Sequence, residues 1–575
     1  MPASQSKTQW VDMPLLLDWE LDWRDESMLV NAYLASAQSL GDYSLDSSTI
    51  RQRLVNLLPQ KHDNHITLKQ RNTLTTADLL FNKSATVSNP RGIFWSNTIA
   101  RLLEIWNTVL YVWSANDTYT TVTAMGAATD GPGGFTEGIN SAGTAYCFVS
   151  TVTKSVIVTT ASNTTVSDAD FPASIIPMPV FLDTYIFVAQ QGTRSIYNCA
   201  VGDPTAWAAS TFINTEEYGG NIVGLARLGT HLVALCENSI EFFRDAGIAA
   251  PNSPLVRVAE LTSRVGCVNR ATIVTHENTI YFAGKDSAGG MGIFKIDERG
   301  QIKKISNPSV SFIVSQSADN NGVRGVISTW SVTLASTRPA VAYMIPFHGK
   351  WYYSYHCNFG TSSSSASAVQ TSFVYDSELN IWLEIMASHR NAGASRTIAG
   401  GWPFPFGTYI LSSALSSDRS FMMQSAYGGT ADNDLAKLGT TDDYETADDT
   451  GGPSAAVTTA RNIIQWPLTS FGIAGRKNLQ GIEISATGNS ASAGDFGSST
   501  AFLVHHGRYL TNNVTGYTTF SLLSHAFNPP HGELVHTIRT NLANFNQQWF
   551  ALVLNMADDR GFDAIRFRIT SHIEQ

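Results

Sequence analysis

Short apolar runs separated by polar turns recur along this chain, most clearly between residues 218 and 306. His231–Cys236 is nearly all apolar; Glu237-Asn238 follows, and then a second apolar run over 239–243. The arrangement returns as 271–275, a polar turn at 276–278 and then 279–283, and again as 292–296, 297–300 and 301–305. Each set predicts two short strands across a tight turn, with Asn238 supplying the positive φ that such turns need. Unbroken apolar runs, rather than strict alternation, predict strands buried on both faces. Small sheets stacked face to face, as in a propeller, bury their inner strands in this way.

Upstream the same signals continue over 105–113, 118–124, 145–153 and 155–160, with Gly131-Pro132-Gly133-Gly134 as a loop. Residues 178–189 predict a strand pair, and 195–200 lead into Gly202-Asp203-Pro204-Thr205-Ala206-Trp207. Downstream, 341–347, 350–356, 371–376 and 381–385 make a four-strand unit of the size of one propeller blade, though the units differ too much to count blades. The chain opens on a Trp- and acid-rich segment (Trp10, Trp19, Trp23). A helix is expected over 26–40, where Leu29, Tyr33, Leu34 and Ala37 share a face, and then a polar connector over 61–90. Residues 427–455 are acidic and rich in small residues, and are expected to form a long loop or tip. Beyond 456, Ile565, Phe567 and Ile569 alternate with Arg566, Arg568 and Thr570, the mark of a strand with one wet face.

The fold expected is therefore mainly β. It comprises an N-terminal segment or platform over 1–90 with a short helix, a β-propeller core over 91–426, the acidic loop or tip at 427–455, and a C-terminal β module over 456–575 that braces the propeller. Length supports this, since 575 residues can bury a large core without disulfides. Charged residues make up only 15% of the chain, which suits turn-rich β structure. A net charge of −10 argues against gripping nucleic acid by its phosphates but does not exclude lining a passage for DNA, where weak contact is an advantage. Five cysteines without C-x-x-C spacing read as reduced thiols. The first residues lack a secretory pattern, and no run is long enough for a membrane span.

Candidate chemistry is sparse. His62, Asp63 and His65 are suitable metal donors, but their spacing supplies two ligands at most, and His505-His506 point to opposite strand faces. Asp442, Asp443, Glu445, Asp448 and Asp449 resemble a calcium loop only in charge, lacking its Gly and terminal Glu. No nucleophile elbow or phosphate-binding Gly loop is present, and Asp376 stands six residues before Trp382, not the spacing of a sialidase Asp-box. No catalytic residue, cofactor or metal is expected. Trp382 is read as sealing a blade edge, Glu241 as a blade-edge polar contact and Cys267 as a small core residue.

One resemblance adds to this. The chain resembles the tail hub, or nozzle, proteins of short-tailed bacteriophages, also called packaged-DNA stabilisation proteins. The matching features run in order: Arg53-Leu54-Val55-Asn56-Leu57, Tyr197-Asn198-Cys199, Asp203-Pro204-Thr205-Ala206-Trp207, and Asn221-Ile222-Val223-Gly224-Leu225. Next come Asn238-Ser239-Ile240-Glu241-Phe242-Phe243 and Val265-Gly266-Cys267-Val268-Asn269-Arg270, then Ile305-Ser306 and Tyr375-Asp376 to Trp382. The resemblance is good over 180–385, faint in 40–60 and loose beyond 456. It implies a β-propeller protomer, typically assembled as a homo-hexamer into a tube below the portal and a head-to-tail adaptor ring. Such tubes carry tail fibres or tailspikes, retain packaged DNA and conduct it during ejection without sequence-specific binding. The protein would then be made in the host cytoplasm and reside in the virion tail. The acidic run 442–449 would sit at the lumen or distal mouth, or else form an outer solvated loop. The alternative reading is a propeller that binds or cleaves a receptor glycan.

Overall fold

The computed structural model describes residues 6–21, 50–55, 57–62, 65–70, 74–76, 90–115, 118–127, 132–317, 340–347, 350–359, 369–385, 397–404, 407–413, 419–424, 462–466, 477–487, 501–505, 517–521, 535–547, 551–556 and 561–572. The expected helix over 26–40 and the acidic segment 427–455 lie outside these residues. Two compact units emerge: Met1–Thr73 with Val369–Arg390 and Tyr427–Gln575, and Leu74–Ala368 with Asn391–Ala426.

The second unit is a propeller of antiparallel meanders. Its first blade is Pro90–Ser96, Arg101–Trp106, Val109–Ala115 and Thr118–Val122. The second is Gly134–Ile139, Ala145–Ser150, Ser155–Val158 and Asn163–Thr165. The third is Ile175–Leu182, Tyr185–Gln190, Ser195–Ala200 and Asp203–Asn214. The fourth is Ile222–Leu228, His231–Cys236, Ile240–Asp245 and Leu255–Arg257. In the fifth, Thr279–Lys285 pairs with Gly266–Cys267 and Val274–His276 on one side and Met291–Ile296 on the other, with Ile302–Lys304 outermost. The sixth contributes the hairpin Val341–Phe347 and Lys350–Phe359.

The seventh, Thr397–Phe404, Gly407–Ser413 and Arg419–Gln424, is completed by Leu74–Thr76. Inner strands are neighbours in chain order, and the seventh blade's inner strand lies beside that of the first, so the ring closes. Its latch is the start of the unit paired to its end: Thr76 opposite Phe421, Thr75 opposite Met422 and Leu74 opposite Met423.

Burial follows the pattern expected from apolar runs. Five consecutive residues are buried in each of Arg101–Trp106, Ala145–Ser150 and His231–Cys236, whereas Asn163–Thr165 is exposed throughout. Several local expectations change. The run 105–113 is two strands, not one, because Asn107 adopts φ 52° and Arg91 Nη1 donates to its carbonyl (2.9 Å) and to that of Met125 (2.8 Å). Positive φ falls on Asp183-Thr184 and Glu277-Asn278, the two-residue hairpin turns, and not on Asn238. The 271–275 strand begins only at Val274, because Asn269 accepts the Ala271 N–H at 2.9 Å and winds 270–272 into a 3-10 turn. Gly134 opens a strand and does not end a loop.

In the first unit, strands from both ends of the chain share sheets. Gly561–His572 lies between Ser6–Asp12 and Lys477–Thr487, with Val535–Gln547 beyond. His65–Gln70 pairs with Gly561–His572 and with Leu57–His62, so strands stand where a polar connector was expected. Ile565, Phe567 and Ile569 are buried while Arg566 and Arg568 are exposed, as their alternation predicts, but Thr570 is buried against the pattern, its hydroxyl paired with that of Thr8 on the neighbouring strand at 2.8 Å. Ile50–Val55 pairs with Asn462–Gln465 and meets Ile381–Ile385 at Val55 opposite Glu384. There Glu384 accepts the Trp19 indole N–H at 3.1 Å and stands 3.6 Å from Arg53, all three side chains buried. Trp382 is buried, with its backbone N–H donated to Asp18 and its carbonyl accepting the Trp19 N–H.

Candidate functional site

The acidic run Asp442, Asp443, Glu445, Asp448 and Asp449 lies outside the described residues, as does Asp63. His62 and His65 are opposed across a hairpin, and the His65 side chain is exposed. Among the described residues, no group of three His, Cys, Asp or Glu side chains is placed to hold a metal ion, and no helix is long and apolar enough to cross a membrane.

The buried acids of the propeller make their contacts within single blades and the connections that enter them. Glu241 is fully buried, a clamp and not an edge contact. It stands 3.0 Å from Arg257 Nε and accepts the backbone N–H groups of Glu216 (3.3 Å) and Glu217 (3.1 Å), in the connection that enters the fourth blade. Arg257 in turn reaches Glu216 at 3.1 Å and Glu217 at 3.7 Å. Burial pushes the Glu241 carboxyl above its ordinary range, and the two N–H donors and Arg257 oppose that rise. Sequence reasoning singled out Glu241 but missed Arg257, sixteen residues on, because only the antiparallel pairing of their strands brings the two together.

Glu104, also buried, accepts both the Trp106 (3.3 Å) and Trp113 (3.1 Å) indole N–H groups. Glu104→Ala orphans two buried donors and is expected to destabilise the propeller by about 2–4 kcal/mol, whereas Glu104→Gln, which keeps an acceptor, loses less. Chemical denaturation of the two variants checks this, and equal losses would count against the pairing.

Cys147, Cys199, Cys236 and Cys267 are buried thiols. Burial pushes Cys236 up to about 11, Cys199 and Cys267 up to about 12, and Cys147 also well above its usual value. The proton is held more tightly in the folded state, so the stability these thiols contribute is complete below the unfolded thiol range and is lost as pH rises through the folded values. At pH 8 the four should resist iodoacetamide in the native protein and react fully in guanidinium, read peptide by peptide by mass spectrometry. Native labelling as fast as in the unfolded chain would contradict the burial.

The inner ring is locked by close backbone approach. A Cβ on Gly134 would lie 2.0 Å from the Pro177 carbonyl oxygen of the next blade, and one on Gly266 would lie 2.0 Å from that of Glu237. On Gly224, between Met178 and Ile273, it would meet both side chains within 2.7 Å. Neighbouring blades therefore approach one another closely at Gly134, Gly224 and Gly266, while Glu104 and Glu241 tie strands within their own blades.

Residues 52–328 match the family model described as bacteriophage P22 Gp10, beta-propeller. No curated protein sequence matches the chain. Among solved structures it is similar to BBS1N in complex with ARL6DN, at 9% identity over 62% of this chain and 98% of that one, with a TM-score of 0.36. It is similar also to Raptor of Chaetomium thermophilum (13% identity, 62% and 30% covered, TM-score 0.34) and to the computationally designed Ika8 protein (10%, 65% and 99%, 0.32).

Proposed function

We propose, from the match of residues 52–328 to the family model described as bacteriophage P22 Gp10, beta-propeller, that the chain is the tail hub, or nozzle, of a short-tailed phage. Six copies form a tube below the portal and its adaptor ring, close the head after packaging, retain the DNA and conduct it during ejection. The family match is the observation that carries this reading. It agrees with a family role that is structural and not enzymatic, and with residence in the virion.

The physical properties support the same assignment. A latched propeller with backbone-to-backbone blade contacts resists the load of packaged DNA. A chain of net charge −10 offers phosphates little to grip, so DNA slides past it. The acidic run Asp442, Asp443, Glu445, Asp448 and Asp449 is assigned to the lumen or distal mouth, where it repels DNA. Tail fibres or tailspikes dock on the outside of the tube.

Particles assembled in cells that lack this protein test the assignment. They are expected to package DNA and then lose it, giving empty, non-infectious heads by electron microscopy. Heads that stay full and lack only adsorption would instead make the protein a receptor-binding component.

A further inference from the structure

The sheet built from both ends of the chain has a free edge. Ser6–Asp12 pairs along all seven residues with Gly561–His572, from Ser6 opposite His572 to Asp12 opposite Arg566, without a bulge. Just beyond it, the Met13 N–H donates to the Ile565 carbonyl at 2.9 Å. Backbone groups of successive strand residues point to opposite sides, so Lys7, Gln9 and Val11 share the direction of Met13 and face the sheet. Thr8, Trp10 and Asp12 therefore turn their N–H and C=O groups outward. Among the described residues, no strand pairs with that side.

Edge strands are normally guarded by prolines, lysines, bulges or extreme shortness. Leu57–His62, at the far side of the same sheet, contains Pro59 and Lys61. Ile302–Lys304, the edge of the fifth blade, is three residues long and two of them are Lys. Ser6–Asp12 carries charge only towards its ends, at Lys7 and Asp12, and its centre, Thr8-Gln9-Trp10-Val11, is unguarded.

Side chains mark the same place. Trp10 stands opposite the exposed Arg568 on the wet face of the sheet and is 44% exposed, the only exposed tryptophan among the described residues. Arg566, beside it, is held by Asp12 and Glu483, whereas Arg568 meets no carboxylate among the described residues. Trp and Arg are the side chains that most often anchor a protein interface.

We infer that the outer edge of Ser6–Asp12 receives an extended segment of a different polypeptide of the particle, which adds to the sheet as a further strand and lays an uncharged side chain against Trp10. Outward N–H and C=O groups at every second residue are complementary to another strand, a ladder that nucleic acid does not offer. The uncharged centre of the edge selects an uncharged segment. Symmetry argues against a second copy in this place. Like edges pair about a two-fold axis and close a pair, whereas the ring of the hub reading, on which the inference rests here, is built from head-to-tail contacts.

Hydroxyl-radical footprinting and proline substitutions of the full chain test this. Trp10 should be oxidised about tenfold more slowly in purified particles than in the isolated chain, as burial of an anchor requires. Trp10→Pro removes an N–H and an indole that the fold does not use, so its melt should stay near wild type, while Gln9→Pro removes an inward ladder donor and should melt lower. Supplied in place of wild type, Trp10→Pro should sediment on its own as wild type does. Particles carrying it should hold about tenfold less of one other polypeptide, read by quantitative mass spectrometry. Should the proline loosen the strand, Trp10→Glu, a change confined to an exposed side chain, must give the same loss. Trp10 equally oxidised in both states, or particles of Trp10→Glu with a full complement of proteins, would overturn the inference and leave the hub reading standing. Self-association lost in Trp10→Glu would make the occupant a second copy and overturn it likewise. A wild-type chain absent from purified particles removes the hub reading and the inference together.

Discussion

Gly134→Ala should leave too little stability for a folded propeller. The added methyl would sit 2.0 Å from the Pro177 carbonyl oxygen, 2.5 Å from its carbon and 2.9 Å from the Pro179 ring. These atoms belong to the inner strand of the next blade, Ile175–Leu182, and cannot swing aside as a side chain can. Relief requires one inner strand to move outward, which disturbs the packing of both blades. Overpacking a core by a methylene ordinarily costs about 1–3 kcal/mol, and a clash with backbone is expected to exceed that range. Gly143→Ala is the matched control. Its site is open, with nothing within 4 Å, but its φ is +78°, so it should lose only about 1 kcal/mol for the left-handed conformation. Guanidinium midpoints decide between them. If Gly134→Ala is as stable as Gly143→Ala, the blades do not approach as described.

Replacing Thr75 and Thr76 together by proline should open the ring. Leu74–Thr76 forms the outermost strand of the seventh blade, pairing with Arg419–Gln424. Adjacent residues of a strand point their N–H groups in opposite directions, so two consecutive prolines must remove one ladder donor whichever way the strand faces. The direct loss is that of a ladder hydrogen bond, about 1 kcal/mol. The larger consequence is topological: without the latch, the first and seventh blades can separate by local opening. Hydrogen exchange of peptides covering Gly407–Ser413 and Arg419–Gln424 should rise toward the unfolded rate, while the fourth blade stays protected. Unchanged exchange in the seventh blade would mean that the latch contributes little.

These two sites also show what sequence could and could not reveal. The strands of the fourth blade were legible because both faces of a blade are buried, so whole runs such as His231–Cys236 are apolar. Turns were legible as polar breaks, but the residue that takes positive φ was not, since Glu277 and Asn278 adopt it and Asn238 does not. Gly134 read as part of a Gly-rich loop, because its real constraint is an atom 43 residues away in the next blade. Leu74–Thr76 is three residues without a pattern, and its meaning comes only from a partner some 350 residues downstream. The shared sheets of the two chain ends, and the partner of Glu241, were hidden for the same reason. For the family, the order of short motifs from Asn238 to Ile305 carried information that periodicity lacked.

The claim that unites these observations is that the chain is the wall of a DNA-conducting tail hub. Cryo-electron microscopy of the purified full-length protein, alone and with the head-to-tail adaptor ring, tests it most directly. The account predicts six copies around an axial channel wide enough for duplex DNA, docked coaxially on the adaptor. A monomer that stays apart from the adaptor, or an assembly with no axial passage, would contradict it.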